Sequence, residues 1–206
     1  MSTALLLNSI SMCFASATFI HNKLVVFRTA IPIIIVATIL SPLGAYSSRY
    51  TSRGTLQWLF VGFLVFAGSM MFFYQPKKRE VKHSARQQVG IGASVGGLAG
   101  YLGGLLGVGG GNFIVPVLVW LGFDPKKASG TTAFIVIFSS FAGFLGHTAM
   151  GHVNLTLLFF SAIGSITGAL LGAWLMSSKL ESRQVKRIIG IVLYVIAAKM
   201  LWGLVT

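Results

Sequence analysis

The densest chemical signal in the sequence lies in backbone rather than in side chains: Gly104-Leu105-Leu106-Gly107-Val108-Gly109-Gly110-Gly111-Asn112-Phe113-Ile114-Val115-Pro116. Glycine accepts positive φ freely and lets a second backbone approach closely. At membrane depth, broken backbone is tolerated only where protein buries it or where it lines a wet cavity. N–H groups at the start of a helical limb from Phe113 would point at an anion, with help from the helix dipole. A tight packing turn without a ligand would use the same residues. A soluble phosphate-binding loop is excluded, because no Gly-Lys-Ser/Thr follows the run and no strand-rich α/β pattern surrounds it.

Hydroxyls follow the glycines. Ala128-Ser129-Gly130-Thr131-Thr132-Ala133 opens the next apolar run, and Ser139-Ser140 stands about two turns further on. Such groups donate to an anion without the cost of burying a charge. They serve equally well as donors to their own helix carbonyls or to neighbouring helices. His147 and His152 flank a short loop, where solvation is the default and proton coupling through His147 the sharper alternative. Lys199 sits within the last apolar run and is expected to snorkel. The acids are Glu80, Asp124 and Glu181 alone, all in loops. They assemble no Ser-His-Asp or metal-ligand cluster, so neither an enzyme nor a metal or cofactor is expected. The single cysteine, Cys13, forms no internal disulfide and no metal motif.

The elements that must carry these groups follow from composition. The chain has 206 residues, 55% hydrophobic and 9% charged, and its mean hydropathy is +0.84. A soluble domain carries about 25% charged residues. Residues 29–48, 54–76, 87–123 and 128–178 hold no Asp, Glu, Lys or Arg. A run of about 20 apolar residues spans a hydrocarbon core of about 30 Å. The sequence therefore predicts an all-α integral membrane protein, with the lipid bilayer as its solvent. Helices are expected near 3–20, 29–47, 55–74, 131–150, 155–176 and 188–205. The first is read as a helix that stays: Ala15-Ser16-Ala17 resembles a cleavage site, but no Lys or Arg precedes the apolar stretch. Residues 87–123 hold 12 of the 25 glycines and are too long for one straight span. A broken, glycine-rich hairpin is expected there, with limbs near 89–106 and 113–121.

The net charge of +13 invites a nucleic-acid reading, but the basic residues sit in short loops between apolar runs. Positive-inside placement accounts for them without nucleic acid. It puts Lys23, Arg28, Lys77, Lys78, Arg79, Lys82, Arg86, Lys126, Lys127, Lys179, Arg183, Lys186 and Arg187 in the cytoplasm. Arg49 and Arg53 fall outside, and both termini are expected outside a bacterial inner membrane.

A shift of 128 residues aligns the two halves of the chain. Ser2-Thr3-Ala4 falls on Gly130-Thr131-Thr132, Ser11 on Ser139, Val25 on Val153, Gly44-Ala45-Tyr46 on Gly172-Ala173-Trp174, and Gly62 on Gly190. The charge-derived topology runs the halves in opposite directions. Inverted-topology repeats are a transporter signature, with the substrate near midplane. The organisation expected is a first repeat over 1–76, a basic linker over 77–87 and a second repeat over 88–206. The counterpart of the hairpin would fall before Met1. The first repeat is thus expected to be incomplete by roughly 40 residues, a shortened variant or a late reading-frame start.

At these residues the sequence resembles the TauE/SafE family of sulfite exporters. The resemblance rests on Gly107-Val108-Gly109-Gly110-Gly111, Pro116, Leu118 and Gly122, then on Ala128 through Thr132, Ser139-Ser140, His147, Gly151 and Val153. It is specific over about residues 89–172. It implies a polytopic helix bundle of two inverted repeats that exports or exchanges small anions, such as sulfite or organosulfur compounds, by alternating access. The site it implies comprises Gly107, Gly109, Gly110, Gly111, Asn112, Thr131, Thr132, Ser139 and Ser140. Asn8, Ser9 and Ser11 stand where the other repeat would place its hydroxyl helix. A homo-oligomer is compatible with this reading. The alternative is a truncated or non-transporting membrane subunit of the same family.

Overall fold

The computed structural model of the chain describes residues 2–48, 50, 52–73, 85–107, 110–148 and 155–205. Eight helices account for nearly all of them: α1 (Ser2–His21), α2 (Phe27–Ser47), α3 (Arg53–Phe73), α4 (Ala85–Leu106), α5 (Gly111–Trp120), α6 (Pro125–Thr148), α7 (Leu155–Ser178) and α8 (Ser182–Val205). Six are long and apolar enough to cross a membrane; α4 and α5 contain the shorter apolar stretches Gly92–Leu106 and Gly111–Trp120. The expected hairpin is therefore present as two helices folded back on each other. Of the expected linker over 77–87, residues 85–87 open α4, while residues 77–84 and the loop over 149–154 lie outside the described residues.

Two helices begin earlier than hydropathy places them. α6 starts at Pro125 rather than near 131, and α8 at Ser182 rather than near 188. The cause is capping. Asp124 Oδ1 accepts the N–H groups of Lys126 (3.0 Å) and Lys127 (3.4 Å), with Pro125 in the first helical position, where its missing N–H costs nothing. The Gln184 side chain accepts the Glu181 N–H at 2.8 Å, one half of a capping box. Both described acids thus sit at helix starts, where the dipole favours negative charge.

Packing directions can be read from side-chain contacts. α1 runs antiparallel to α6. Leu5 lies by Gly143 and Phe19 by Gly130. Between them, Asn8 Nδ2 donates to Ser140 Oγ and Ser9 Oγ to the Ile137 carbonyl, each at 3.0 Å. α3 runs antiparallel to α8, with Ser69 and Tyr194 hydroxyls 2.6 Å apart and Phe72 against Gly190. α2 lies parallel to α6, bound through Ser41 Oγ to the Ser139 carbonyl at 2.8 Å. α4 lies parallel on α2. Its glycines at every fourth position, Gly92, Gly96, Gly100 and Gly104, follow Pro32, Ile33, Ala37 and Ser41. A Cβ at Gly100 would stand 2.5 Å from Ala37 Cα, so only glycine lets these backbones meet.

The short helix α5 plugs the centre. Phe113, Ile114, Leu118 and Val119 are buried with Ile33 of α2, Leu64 of α3, Ile135 of α6 and Leu193 of α8. The Phe113 ring meets Phe63 at 4.1 Å between centroids. Charge segregates along the bundle. Leu24 lies by Gly130, and Lys126 Nζ donates to the Ser177 carbonyl at the end of α7 at 3.0 Å. Lys23, Arg28, Lys126, Lys127 and Lys179 therefore gather at one end, while α1 begins and α8 ends at the other.

Candidate functional site

Chain reversal at the hairpin rests on two glycines in the left-handed region, Gly107 (φ +68) and Gly110 (φ +76). Gly107 N–H closes the last turn of α4 on the Gly104 carbonyl at 3.2 Å. Gly110 caps α5: its carbonyl accepts from Phe113 N–H (3.0 Å) and Ile114 N–H (3.2 Å). A Cβ on Gly110 would be strained by φ and would stand 2.7 Å from the Ala99 carbonyl oxygen. No side chain caps this helix start. A helix N-terminus carries a partial positive charge of about +0.5.

That terminus lies deep in the bundle. The Cβ position of Gly111 is 3.7 Å from the Thr132 methyl and 3.1 Å from a Val136 methyl. Those residues stand about 10 to 16 Å along α6 from its first residue. Thr132 is 4% exposed, and its Oγ1 is buried without a hydrogen-bond partner among the described residues. Leaving a buried hydroxyl unsatisfied is costly, so an unpartnered one beside an uncapped helix start marks a place suited to a polar guest. The residues gathered here are Gly110, Gly111, Asn112 and Thr132, with Gly107 at the other side of the turn.

The remaining expected site residues have other partners. Thr131 is fully buried, and its Oγ1 accepts the Val26 N–H at 3.0 Å, capping the first turn of α2. Ser139 and Ser140 are buried in the seams with α2 and α1, through Ser41 and Asn8. Ser11 donates to the Leu7 carbonyl of its own helix at 2.8 Å, the bland use of a membrane hydroxyl. Lys199 is exposed along α8. Gly109, His152 and the side chain of His147 lie outside the described residues. One hydroxyl escaped sequence reasoning as a site residue. Ser129 Oγ is also buried without a described partner, and three residues before Thr132 it lies on the same face of α6. That i, i+3 spacing was the available signal.

α5 packs against α3, α4 and α6, whose charged residues, Arg53, Arg86, Lys126 and Lys127, lie in their first turns, and no charged residue occurs over 54–76, 87–123 or 128–178. Among the described residues no group of three or more His, Cys, Asp or Glu could hold a metal. The site's chemistry is that of oriented backbone dipoles and hydroxyls.

Comparison with known proteins identifies the family. The family model described as "Sulfite exporter TauE/SafE" matches residues 1–200. The chain is similar to a probable membrane transporter protein, YunE, of Bacillus subtilis, at 26% identity over 97% of this chain and 79% of that protein. A second probable membrane transporter of Bacillus subtilis, YdhB, is 26% identical over 63% of this chain and 55% of its own length. Sulfite exporter TauE/SafE family protein 1 of Arabidopsis thaliana is 43% identical over 26% of this chain, which spans 12% of that protein. No solved structure gives a significant match.

Proposed function

We propose, since the chain belongs to the sulfite exporter TauE/SafE family, that this membrane transporter carries small oxyanions, sulfite or sulfonates, across the cell membrane by alternating access. The observation that carries this reading is the start of α5, which no side-chain cap bonds and which lies inside the bundle beside Thr132, a residue whose hydroxyl has no partner among the described residues. Backbone N–H groups and a hydroxyl accept an oxyanion without a protein charge having to be buried with it. Gly110 keeps the turn tight enough for the helix start to face α6.

The packing supports an inverted repeat as the moving frame. Ser9 and Ile137, bonded to each other, are separated by 128 residues, the offset that aligns the halves. Helices α1 and α6, equivalent under that offset, run antiparallel, and so do the equivalent pair α3 and α8. The contacts of α1 with α7 correspond, on exchange of the halves, to those of α6 with α2. One half rocking against the other would open the α5 site alternately to each side. Positive-inside placement puts the basic end of the bundle in the cytoplasm and both termini outside.

The test is uptake of radiolabelled sulfite into inside-out vesicles or proteoliposomes containing the chain, with unlabelled sulfonates as competitors. Saturable, competed uptake is expected. A folded, inserted chain that takes up nothing would overturn the proposal.

A further inference from the structure

We propose that α7 and α8, where they diverge at the basic end of the bundle, seat an anionic phospholipid between them, whatever anion the protein carries. Lys179, Arg183 and Arg187 would hold its headgroup, and the two bare helices its chains. The two helices are joined by only Lys179, Leu180 and Glu181, a connection that ordinarily makes antiparallel neighbours. They do not pack on each other: among the described residues α7 rests on α1, and α8 on α3 and α6. The span in α7 is 6% buried and that in α8 17%, the two lowest values among the six spans. Gly164, Gly168 and Gly172 of α7 have nothing within 4 Å of a Cβ position.

Both helices lead from cation to hydrocarbon along one face, since residues four apart lie on the same side. On α8, Arg183 and Arg187 are exposed and are followed by exposed Ile191 and Val195. On α7, exposed Leu171 and Leu175 lead up to Lys179, whose N–H donates to the Leu175 carbonyl at 3.0 Å. The Lys179 ammonium stands 5.8 Å from the centre of the exposed Trp174 ring, and tryptophan favours headgroup depth. Lys126 Nζ, bonded to the Ser177 carbonyl, brings the start of α6 to the same corner. Lys126, Lys127, Lys179, Arg183, Lys186 and Arg187 face only Asp124 and Glu181 there, six basic residues against two acidic, a net +4. Asp124 is already engaged by N–H groups of α6.

That charge decides between occupants. A second copy related by a two-fold axis along the membrane normal would bring the same basic end alongside, like charge against like. An uncharged apolar helix would cover the flanks and leave the cations unmatched. An anionic headgroup matches them, each Lys or Arg at the surface being worth about fivefold in affinity.

The test uses the full chain with Trp58, Trp120 and Trp202 replaced by Phe, so that Trp174 alone reports. It is reconstituted in phosphatidylcholine vesicles containing a minor fraction of lipid with brominated chains, which quench tryptophan on contact. Brominated phosphatidylglycerol is expected to quench Trp174 at a mole fraction about tenfold or more below that of brominated phosphatidylcholine. Arg183→Gln with Arg187→Gln should remove that preference. Arg183→Lys with Arg187→Lys, which keeps the charge, should retain it, and so should Arg53→Gln at the other end of the bundle. Equal quenching by the two lipids, or a preference indifferent to loss of both arginines, overturns the proposal. A Trp174 shielded from both lipids overturns it as well, because a second copy or another helix would then cover this face.

Discussion

Thr131 and Thr132 are neighbours in the chain, yet they face different partners, because successive helical residues are turned by about 100°. Thr131 caps α2, while Thr132 lies beside the start of α5, its methyl 3.7 Å from the Cβ position of Gly111 and its hydroxyl without a partner among the described residues. Valine substitutions separate the two. Thr131→Val orphans the half-buried Val26 N–H and should lower thermal stability by about 1–2 kcal/mol, with uptake per folded molecule little changed. Thr132→Val removes a hydroxyl that has no partner among the described residues, so stability should hold or rise. Its sulfite uptake should fall about 10- to 100-fold, the worth of one hydrogen bond to an anion, and Thr132→Ser should retain it. Undiminished uptake by folded Thr132→Val would remove this residue from the site. The sequence brought both threonines forward together. It could not divide them, because that depends on where α6 is rotated against α2 and α5, which composition and spacing leave open.

Glycines that look alike in the sequence differ by element. Along α4 they are where α2 makes its closest approach, and a Cβ at Gly100 would meet Ala37 Cα at 2.5 Å. Along α7, Gly164, Gly168 and Gly172 repeat at the same four-residue spacing with nothing within 4 Å. Burial explains the contrast: 6% of the α7 span is buried, against 39% for the span in α2. Gly100→Ala should therefore destabilise the purified protein by about 1–3 kcal/mol through overpacking. Gly168→Ala should be neutral, or stabilising by up to about 1 kcal/mol through helix propensity. Thermal melts in detergent followed by tryptophan fluorescence would read both, and equal melting shifts would contradict the α2–α4 packing. Helix existence was legible from hydropathy, because a charge-free run of twenty residues has few other folds. Helix starts at α6 and α8 were not, since hydropathy reports the membrane span. The first turns there are basic and outside that span, and capping by Asp124 and Gln184 sets the boundary.

At the scale of the molecule, the charge-derived topology makes a geometric demand on where the basic turns lie. Lys23, Arg28, Lys126, Lys127 and Lys179 gather at one end and Arg53 at the other, with Lys126 bonded to the end of α7 and Leu24 packed on Gly130. What charge could not supply was which helices touch, because lipid and protein are equally apolar neighbours for a membrane helix. Those contacts locate the seam that alternating access would have to move, where α1 of the first half crosses α6 of the second. In a Cys13→Ser background, Asn8→Cys with Ser140→Cys would place two thiols where a 3.0 Å hydrogen bond now joins the halves. Joining them with a short bifunctional thiol reagent should arrest sulfite uptake, relative to the same double variant left unreacted. Lys126→Cys with Ser177→Cys, treated alike, joins two positions within the second half and should leave uptake running. If the α1–α6 cross-link leaves transport unaffected, the halves do not rock against each other at this seam. The movement would then have to lie within the second half, with the α4–α5 hairpin shifting against α6.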